Sequence, residues 1–289
     1  MNTVDFFGKK VTKLIVGDNP FNGHSYILET SGKEMTDFYT AEKIKETMFR
    51  IEAEGYNTML PLADPYIIRL IKEYQRDGGK MQFVFQPYMP MDQKASMNQI
   101  ASLENVIGIY HQGSTTDCLY ETDRANEIPG NIAEYRQLGV PVGLGTHYPE
   151  VIELSEKEEW GADFYMGCLH NKRRFLKGEP SGFLSGKSTA GMIFYAADRA
   201  PMLDVLRKTQ KPAIAFKIFA GGQMFSQKTE EEKRALIKGV YEEVFTALKP
   251  NDFAAIGVFQ RDKDEVKENA DIPLHPLLQA LFSLPHTEP

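Results

Sequence analysis

The 289-residue sequence is poor in cysteine and contains no long apolar run. Its two cysteines, Cys118 and Cys168, do not form a C-x-x-C motif, so a disulfide framework is not indicated and a reducing cytoplasm fits. No window approaches the roughly 18 apolar residues that a membrane-spanning helix needs. The N-terminal stretch MNTVDFFGKK lacks the apolar segment of a signal peptide. The sequence therefore predicts a cytoplasmic protein without membrane contact.

The chain also lacks a basic surface of the kind that binds nucleic acid. Its formal net charge is -7, from 33 Lys and Arg against 40 Asp and Glu. The densest basic run, NKRRFLK at 171–177, is too short for a nucleic-acid footprint. We therefore expect a small-molecule substrate and no nucleic-acid partner, and the oligomeric state stays open. A length of 289 residues with 42% hydrophobic content fits a single barrel-sized domain over 1–289.

Eight apolar runs recur along the whole chain, and amphipathic patterns separate them. The runs are almost continuously hydrophobic, which is typical of parallel strands buried on both faces. This alternation predicts a (β/α)8 TIM barrel. A doubly wound sheet is the main alternative, but no G-x-G-x-x-G follows an early strand. The runs are KLIVG (13–17), NTMLPL (57–62), QFVFQP (82–87), VIGIYH (106–111), VPVGLG (140–145), ADFYMG (162–167), AIAFKI (213–218) and FAAIGV (253–258).

Three of the six histidines close consecutive predicted strands: His111 the fourth, His147 the fifth and His170 the sixth. Active sites of TIM barrels lie at the C-terminal ends of the strands. We therefore predict a histidine cluster that carries catalysis and binds a divalent metal, Zn or Mn, with Asp18 or Asp64 as a carboxylate ligand. The alternative is that each histidine separately hydrogen-bonds backbone or substrate.

Two long connections would lie on the same rim as these histidines. One follows the first strand, from Asp18 to about residue 39, and the other follows the sixth strand, over about 171–195. Long connections in a compact domain are often lids or binding loops. Gly186-Lys187-Ser188 within the second is similar to the end of a P-loop, but the full glycine frame is absent.

Other residues near the strand ends are predicted to serve the site. Lys217, flanked by apolar residues, could form a Schiff base, clamp an anion, or pair with a carboxylate at the rim. Arg173 suits a substrate carboxylate or phosphate, although a solvated helix start would explain Lys172, Arg173 and Arg174 equally. Cys168 is either inert packing or a soft metal ligand. The remaining predicted substrate contacts are Asp18, Asn19, Asn22, Gln86 and Gln112.

Three segments carry a resemblance to a known family. The opening FFGKKVTKLIVGDNPFNG, the stretch FKIFAGG at 216–222 and the later stretch AIGVFQRDKDEVKENADI resemble aldo-keto reductases. In that family a short N-terminal β-hairpin plugs the barrel floor before the first strand. The resemblance covers most of the chain and implies the same hairpin-closed TIM barrel here.

The same resemblance implies an altered catalytic apparatus. The family's tetrad is Asp, Tyr, Lys and His; Tyr66 and His111 match two members, whereas Pro61 and Gln86 stand where the aspartate and lysine belong. The family's arginine for the adenosine phosphate aligns with Glu265, whose carboxylate would repel a 2′-phosphate. The resemblance therefore predicts that NADPH binding is weak or absent.

The sequence leaves three functions open. The first is a metal-assisted hydrolase, lyase or isomerase that acts on a small polar or carbonyl-containing metabolite through the histidine cluster. The second is an aldo-keto reductase-like NAD(P)H-dependent oxidoreductase that uses Tyr66 and His111 in an altered site. The third is a non-catalytic barrel that binds a small molecule.

Overall fold

Eight parallel strands close into a barrel in the computed structural model, which describes residues 1–28, 32–180 and 191–272. Each strand pairs with its neighbour in the sequence, and the last pairs with the first. The predicted (β/α)8 barrel is confirmed, and the doubly wound alternative is wrong. The barrel strands are β3 (Leu14–Gly17), β4 (Thr58–Leu60), β5 (Gln82–Phe85), β6 (Val106–His111), β7 (Val142–Thr146), β8 (Phe164–Cys168), β9 (Ala213–Phe216) and β10 (Phe253–Gly257).

Helices follow the strands and cover the outside of the barrel. Each packs an apolar stripe on the strands, because burial of that stripe provides most of a helix's stability. Thr40 caps the second helix by accepting a hydrogen bond from the Lys43 N–H. The helices are α1 (Gly32–Phe38), α2 (Ala41–Ala53), α3 (Pro65–Arg76), α4 (Gln93–Ala101), α5 (Gly113–Glu121), α6 (Ile128–Tyr135), α7 (Pro149–Lys157), α8 (Arg199–Lys208), α9 (Glu230–Ala247) and α10 (Glu265–Ala270).

An N-terminal hairpin closes the floor of the barrel, as the sequence predicted. Its strands, β1 (Thr3–Phe6) and β2 (Lys9–Thr12), pair antiparallel. Phe6 belongs to the cluster that fills the barrel interior and meets Phe164 and Phe253 edge-on, with ring centroids 5.1 and 5.6 Å apart. The floor is thus sealed by aromatic packing, which leaves the opposite rim as the accessible end.

Alternation along the strands separates side chains that fill the barrel from side chains that face the helices. On β6, Tyr110 belongs to the interior cluster and Ile109 packs in the outer layer, while Ile107 reaches the interior because the register with β5 shifts beside it. His111 follows Tyr110 and therefore points outward. This register decides which residues at the strand ends face the mouth.

The two long connections predicted after the first and sixth strands meet at this rim. The Gly191 N–H donates to the Tyr26 carbonyl oxygen at 3.1 Å. The P-loop-like Gly186-Lys187-Ser188 step lies outside the described residues. No helix within the part of the chain that the structure describes is long and apolar enough to cross a membrane.

Candidate active site at the barrel mouth

A hydrogen-bonded relay of three side chains lies at the mouth. His147, immediately after β7, is only 3% exposed and stands between an acid and an amine. Its Nδ1 is 2.6 Å from Asp117 Oδ2, and its Nε2 is 2.7 Å from Lys217 Nζ. A carboxylate accepts and an ammonium donates, so we assign the tautomer in which Nδ1 carries the proton and Nε2 accepts. The relay therefore runs carboxylate, neutral imidazole, ammonium.

Asp117 is fully buried because its helix, α5, lies close against β7. The Cβ of any larger residue at Gly145 would stand 3.1 Å from the Gly113 N and the His111 carbonyl oxygen, so glycine permits this close approach. Asp117 accepts hydrogen bonds from Thr146 Oγ1 at 2.6 Å and from the His147 N–H at 3.2 Å. Burial raises the pKa of Asp117 to about 7, while these donors oppose the rise. The carboxylate is thus held rigidly toward His147.

His147 is kept neutral by its surroundings. Burial lowers its pKa well below the ordinary value, and the charges of Lys217, Lys172 and Arg173 lower it further. A neutral imidazole at physiological pH leaves Nε2 with a lone pair for the Lys217 ammonium. His147 thereby orients Lys217.

Lys217 has a backbone conformation that is uncommon for a residue with a side chain. It follows β9 with φ of 53°, in the left-handed region, which costs about 1–2 kcal/mol for a non-glycine residue. Its carbonyl oxygen lies 2.7 Å from His170 Nδ1, which holds this conformation. Burial would lower the pKa of Lys217, but Tyr26, Cys168 and Asp117 raise it above the ordinary value. Lys217 is therefore a persistent cation.

A second amine lies beside the first. The ring centroid of Tyr26 is 4.9 Å from Lys217 Nζ and also 4.9 Å from Lys172 Nζ. Lys172 is buried, and its Nζ is 3.8 Å from Met192 Sδ. Burial lowers the pKa of Lys172 to about 7, and the charges of Lys217 and Arg173 add to this effect. Near neutral pH a substantial fraction of Lys172 is thus the uncharged, nucleophilic amine.

Tyr26 is held over the two lysines by its own loop contacts. Gln223 Nε2 donates to the Tyr26 carbonyl oxygen at 2.8 Å and to the Met192 carbonyl oxygen at 2.7 Å, which ties the two long connections together. The ring lies against Gly221, where an added Cβ would be 2.6 Å from Tyr26 Cδ2. Glycine at 221 is needed both for this contact and for its φ of 59°.

The neighbouring arginines are already neutralised. The Arg173 guanidinium, predicted to bind substrate, is 2% exposed and pairs with Glu121 through Nε and Nη2. Arg174 pairs with Glu150 and Asp198 at 2.6 and 2.8 Å. A buried ion pair with Glu121 therefore occupies the fork of Arg173, and its role as a substrate contact stays a prediction.

The three histidines do not form the predicted cluster. The His111 ring points under the helices: Nδ1 is 2.7 Å from Thr116 Oγ1 and Nε2 is 3.1 Å from Asn131 Nδ2. His170 Nδ1 contacts the Lys217 carbonyl oxygen, and of the three histidines only His147 takes part in the relay. Among the residues that the structure describes, no three His, Cys, Asp or Glu side chains are grouped to hold a metal ion. The predicted histidine cluster is thus not assembled, because strand alternation turns His111 away from the mouth, and metal binding itself stays a prediction.

The carboxylates proposed as metal ligands have structural partners. Asp18 Oδ2 accepts from the Leu62 N–H at 2.7 Å and from Asn22 Nδ2 at 2.8 Å, and burial raises the pKa of Asp18 to about 7. Asp64 instead caps α3 by accepting from the Tyr66 N–H at 2.9 Å. Asp18 and Asn22 therefore fasten the loop after β3 to the strand beside it.

The remaining predicted contacts are spread around the rim. Gln86 accepts from the Tyr110 hydroxyl at 2.9 Å, and Gln112 caps α5 by accepting from the Thr115 N–H. Asn19 begins a short 3-10 turn after β3. Tyr66 is 47% exposed on the first turn of α3. The altered reductase site of Tyr66 and His111 is therefore not assembled, because His111 faces the helices.

Sequence reasoning missed Asp117 and Tyr26 and assigned Lys172 to a solvated helix start. Asp117 lies in GSTTDCLY, where nothing in the spacing distinguishes it from other helical acids. Tyr26 lies in an irregular loop with no periodic pattern. Lys172 could have been found from its position two residues after His170, at the end of a buried strand.

Comparisons with known proteins show the fold. No family model matches the chain, and no curated protein does. Glycerol dehydrogenase AKR11B4 from Gluconobacter oxydans is 9% identical with a TM-score of 0.55, covering 93% of this chain and 90% of its own. Aldo-keto reductase AKR11C1 from Bacillus halodurans is 13% identical with a TM-score of 0.53, and the match covers 99% of this chain and 93% of the reductase. Dihydropteroate synthase from Yersinia pestis is 9% identical with a TM-score of 0.55, covering 97% and 99%. The comparisons thus confirm the TIM-barrel fold, which the two reductases and the synthase share.

Proposed function

We propose that this TIM barrel is a lyase that forms a Schiff base between Lys172 and a small carbonyl-containing metabolite. The observation that carries the proposal is the pair of amines on one tyrosine ring: each Nζ is 4.9 Å from the Tyr26 centroid. A lysine becomes nucleophilic when it is desolvated next to another cation. Lys217 supplies that cation, held by His147 and Asp117. The expectation that Lys217 itself forms the Schiff base gives way to a role as the neighbouring charge.

The reaction uses the side chains in distinct roles. The Lys172 nitrogen bonds to the carbonyl carbon, and the carbonyl oxygen leaves as water with one proton from the amine and one from the Tyr26 hydroxyl. The nitrogen keeps the positive charge of an iminium. The bond between the α and β carbons of the substrate then breaks. Its electron pair moves toward the iminium and forms an enamine. The hydroxyl on the departing fragment returns a proton to Tyr26 and becomes a carbonyl.

The enamine then takes a proton from solvent at carbon, and water releases the product from Lys172. Lys172 is covered by Tyr26 and Met192, so substrate has to displace the Tyr26 ring before the amine can react. Gln223 and Gly191 donate to the Tyr26 carbonyl oxygen and so hold its backbone, which leaves rotation of the side chain as the way the ring moves aside.

Borohydride reduction tests the proposal, because it converts an iminium into a stable secondary amine. We expect treatment with pyruvate or another small carbonyl compound, followed by borohydride, to attach one reduced molecule of that compound to the peptide that contains Lys172. Lys172→Met should lose the adduct, and Lys177→Met, a change at an exposed lysine nearby, should retain it. Absence of any adduct, or labelling spread over exposed lysines, would overturn the proposal.

The earlier cofactor predictions stay predictions. A Zn or Mn cofactor would be tested by elemental analysis of the purified protein. Weak or absent NADPH binding would be tested by fluorescence titration, and saturation at low micromolar cofactor would support the reductase instead.

A further inference from the structure

We infer that the substrate is a short 2-oxo acid, with its carboxylate on the Lys217 ammonium and its adjacent carbonyl at Lys172. This inference rests on the proposed function and specifies its substrate class. It is carried by the charge balance of the mouth, by the occupied state of the arginines and by the contact of both amines with the Tyr26 ring.

The first argument concerns charge. Three cations lie together here, Lys172, Lys217 and Arg173, and the acids beside them are Asp117 and Glu121. Glu121 pairs with Arg173 and also accepts a hydrogen bond from the Tyr148 hydroxyl at 2.7 Å. Asp117 faces His147. While Lys172 is a neutral amine, the two cations Lys217 and Arg173 balance the carboxylates of Asp117 and Glu121. Once it becomes an iminium, one positive charge is in excess, and a monoanionic substrate would neutralise it. A buried charge without a partner is costly.

The second argument distinguishes a carboxylate from a phosphate. The planar fork of arginine is over-represented where a phosphate is bound through two parallel hydrogen bonds. The arginines around this part of the rim are engaged: Arg173 with Glu121, Arg174 with Glu150 and Asp198, and Arg199 with Glu243 at 2.8 Å. Within the described residues the remaining cations at the mouth are therefore lysines, and a single lysine charge suits one carboxylate.

The third argument concerns length. Lys172 Nζ and Lys217 Nζ both contact one tyrosine ring, which Gly221 and Gln223 hold in place. Because both nitrogens contact one ring, a ligand that lies against this ring and reaches both amines is short, with its carbonyl and its anionic group on neighbouring parts of the molecule. A 2-oxo acid has the two groups on adjacent carbons.

The test compares pyruvate with methyl pyruvate, which has the same carbon skeleton without the negative charge. The ester is the stronger electrophile, so chemistry alone favours its trapping. We expect borohydride to trap pyruvate on Lys172 at least about ten-fold faster, equivalent to about 1.4 kcal/mol of carboxylate recognition. Lys217→Met should abolish or reverse this preference. Lys211→Met is the matched control, since Lys211 contacts a different ring, that of Tyr165, at 5.3 Å and should leave the preference unchanged.

The outcomes separate the inference from the proposed function. Equal or faster trapping of methyl pyruvate would overturn the 2-oxo acid inference while the Schiff base at Lys172 stands. Faster trapping of dihydroxyacetone phosphate than of pyruvate would also overturn it, in favour of a phosphorylated substrate. Failure of every carbonyl compound would overturn the proposed function itself. The wild-type ratio decides the matter even if Lys217→Met does not fold.

Discussion

His111 and His147 stand at the ends of neighbouring strands, yet their surroundings differ completely. Both are nearly inaccessible, at 1% and 3% exposure. His111 contacts the neutral groups of Thr116 and Asn131 between the barrel and its helices. His147 joins Asp117 to Lys217 at the mouth. The difference shows that a position at the end of a barrel strand does not fix the surroundings of a histidine, because strand alternation turns one toward the helices and the other toward the mouth.

The electrostatic difference follows from these partners. Burial lowers the pKa of His111 to about 4 with no charged group as a further cause. The pKa of His147 is lowered by burial and additionally by three neighbouring cations. The His111 region is therefore a packing arrangement with satisfied hydrogen bonds. The His147 region is a charged network whose members depend on one another.

The largest expected effect comes from removing the acid of the His147 network. Asp117→Ala leaves the Lys217 cation without its counter-charge, and breaking a buried charged arrangement costs about 3–5 kcal/mol of unfolding free energy. Asn131→Ala, the matched change beside His111, removes one neutral hydrogen bond and should cost about 1 kcal/mol. Urea unfolding measures both. Equal losses would break the distinction between the two regions.

The unfolding free energy should change with pH in two separate ranges, one set by His111 and the other by Lys172. His111 has a folded pKa of about 4 and an ordinary value of 6.5, so the unfolded chain binds more protons between these values and stability rises with pH there. Lys172 has a folded pKa of about 7 and an ordinary value of 10.5. Burial of its charge therefore lowers the unfolding free energy fully below pH 7, and this loss is relieved as pH rises toward 10.5.

Two variants test these windows. His111→Asn should reduce the slope of unfolding free energy against pH between 4 and 6.5 by about one proton, or about 1.4 kcal/mol per pH unit. Lys172→Met should reduce the slope between 7 and 10.5 by a similar amount and raise the melting temperature at pH 6. Urea titrations at several pH values give the slopes. An unchanged alkaline slope in Lys172→Met would show that the amine is not held in a desolvated state.

The smallest effect tests whether Tyr26 belongs to the His147 region. Gly221→Ala places a methyl group 2.6 Å from the Tyr26 ring and strains a φ of 59°. We expect a loss of about 1 kcal/mol of stability and a several-fold change in borohydride trapping at Lys172. Gly239→Ala in α9, where an added Cβ meets nothing within 4 Å, should stabilise by about 0.5–1 kcal/mol and leave trapping unchanged. Unchanged trapping in Gly221→Ala would remove Tyr26 from the site.

The fold could be predicted from the chain because its signals are local. The run VIGIYH reads as a strand buried on both faces, and β6 spans Val106–His111 as expected. The site could be predicted only in part. His147 and Lys217 were identified from their positions at strand ends. Asp117 and Tyr26 were not, because a helical acid and a loop tyrosine have no distinguishing pattern.

The sequence by itself determined the barrel and the rim on which chemistry would lie, since hydrophobic periodicity depends on neighbours along the chain, and the family resemblance implied the hairpin on the floor. Only the tertiary structure decided which polar groups meet at that rim. Strand alternation turned His111 outward, the positive φ of Lys217 aimed its amine at His147, and the loop after β3 carried Tyr26 over Lys172. These contacts join residues far apart in sequence, so they arise from packing and backbone geometry rather than from any local pattern.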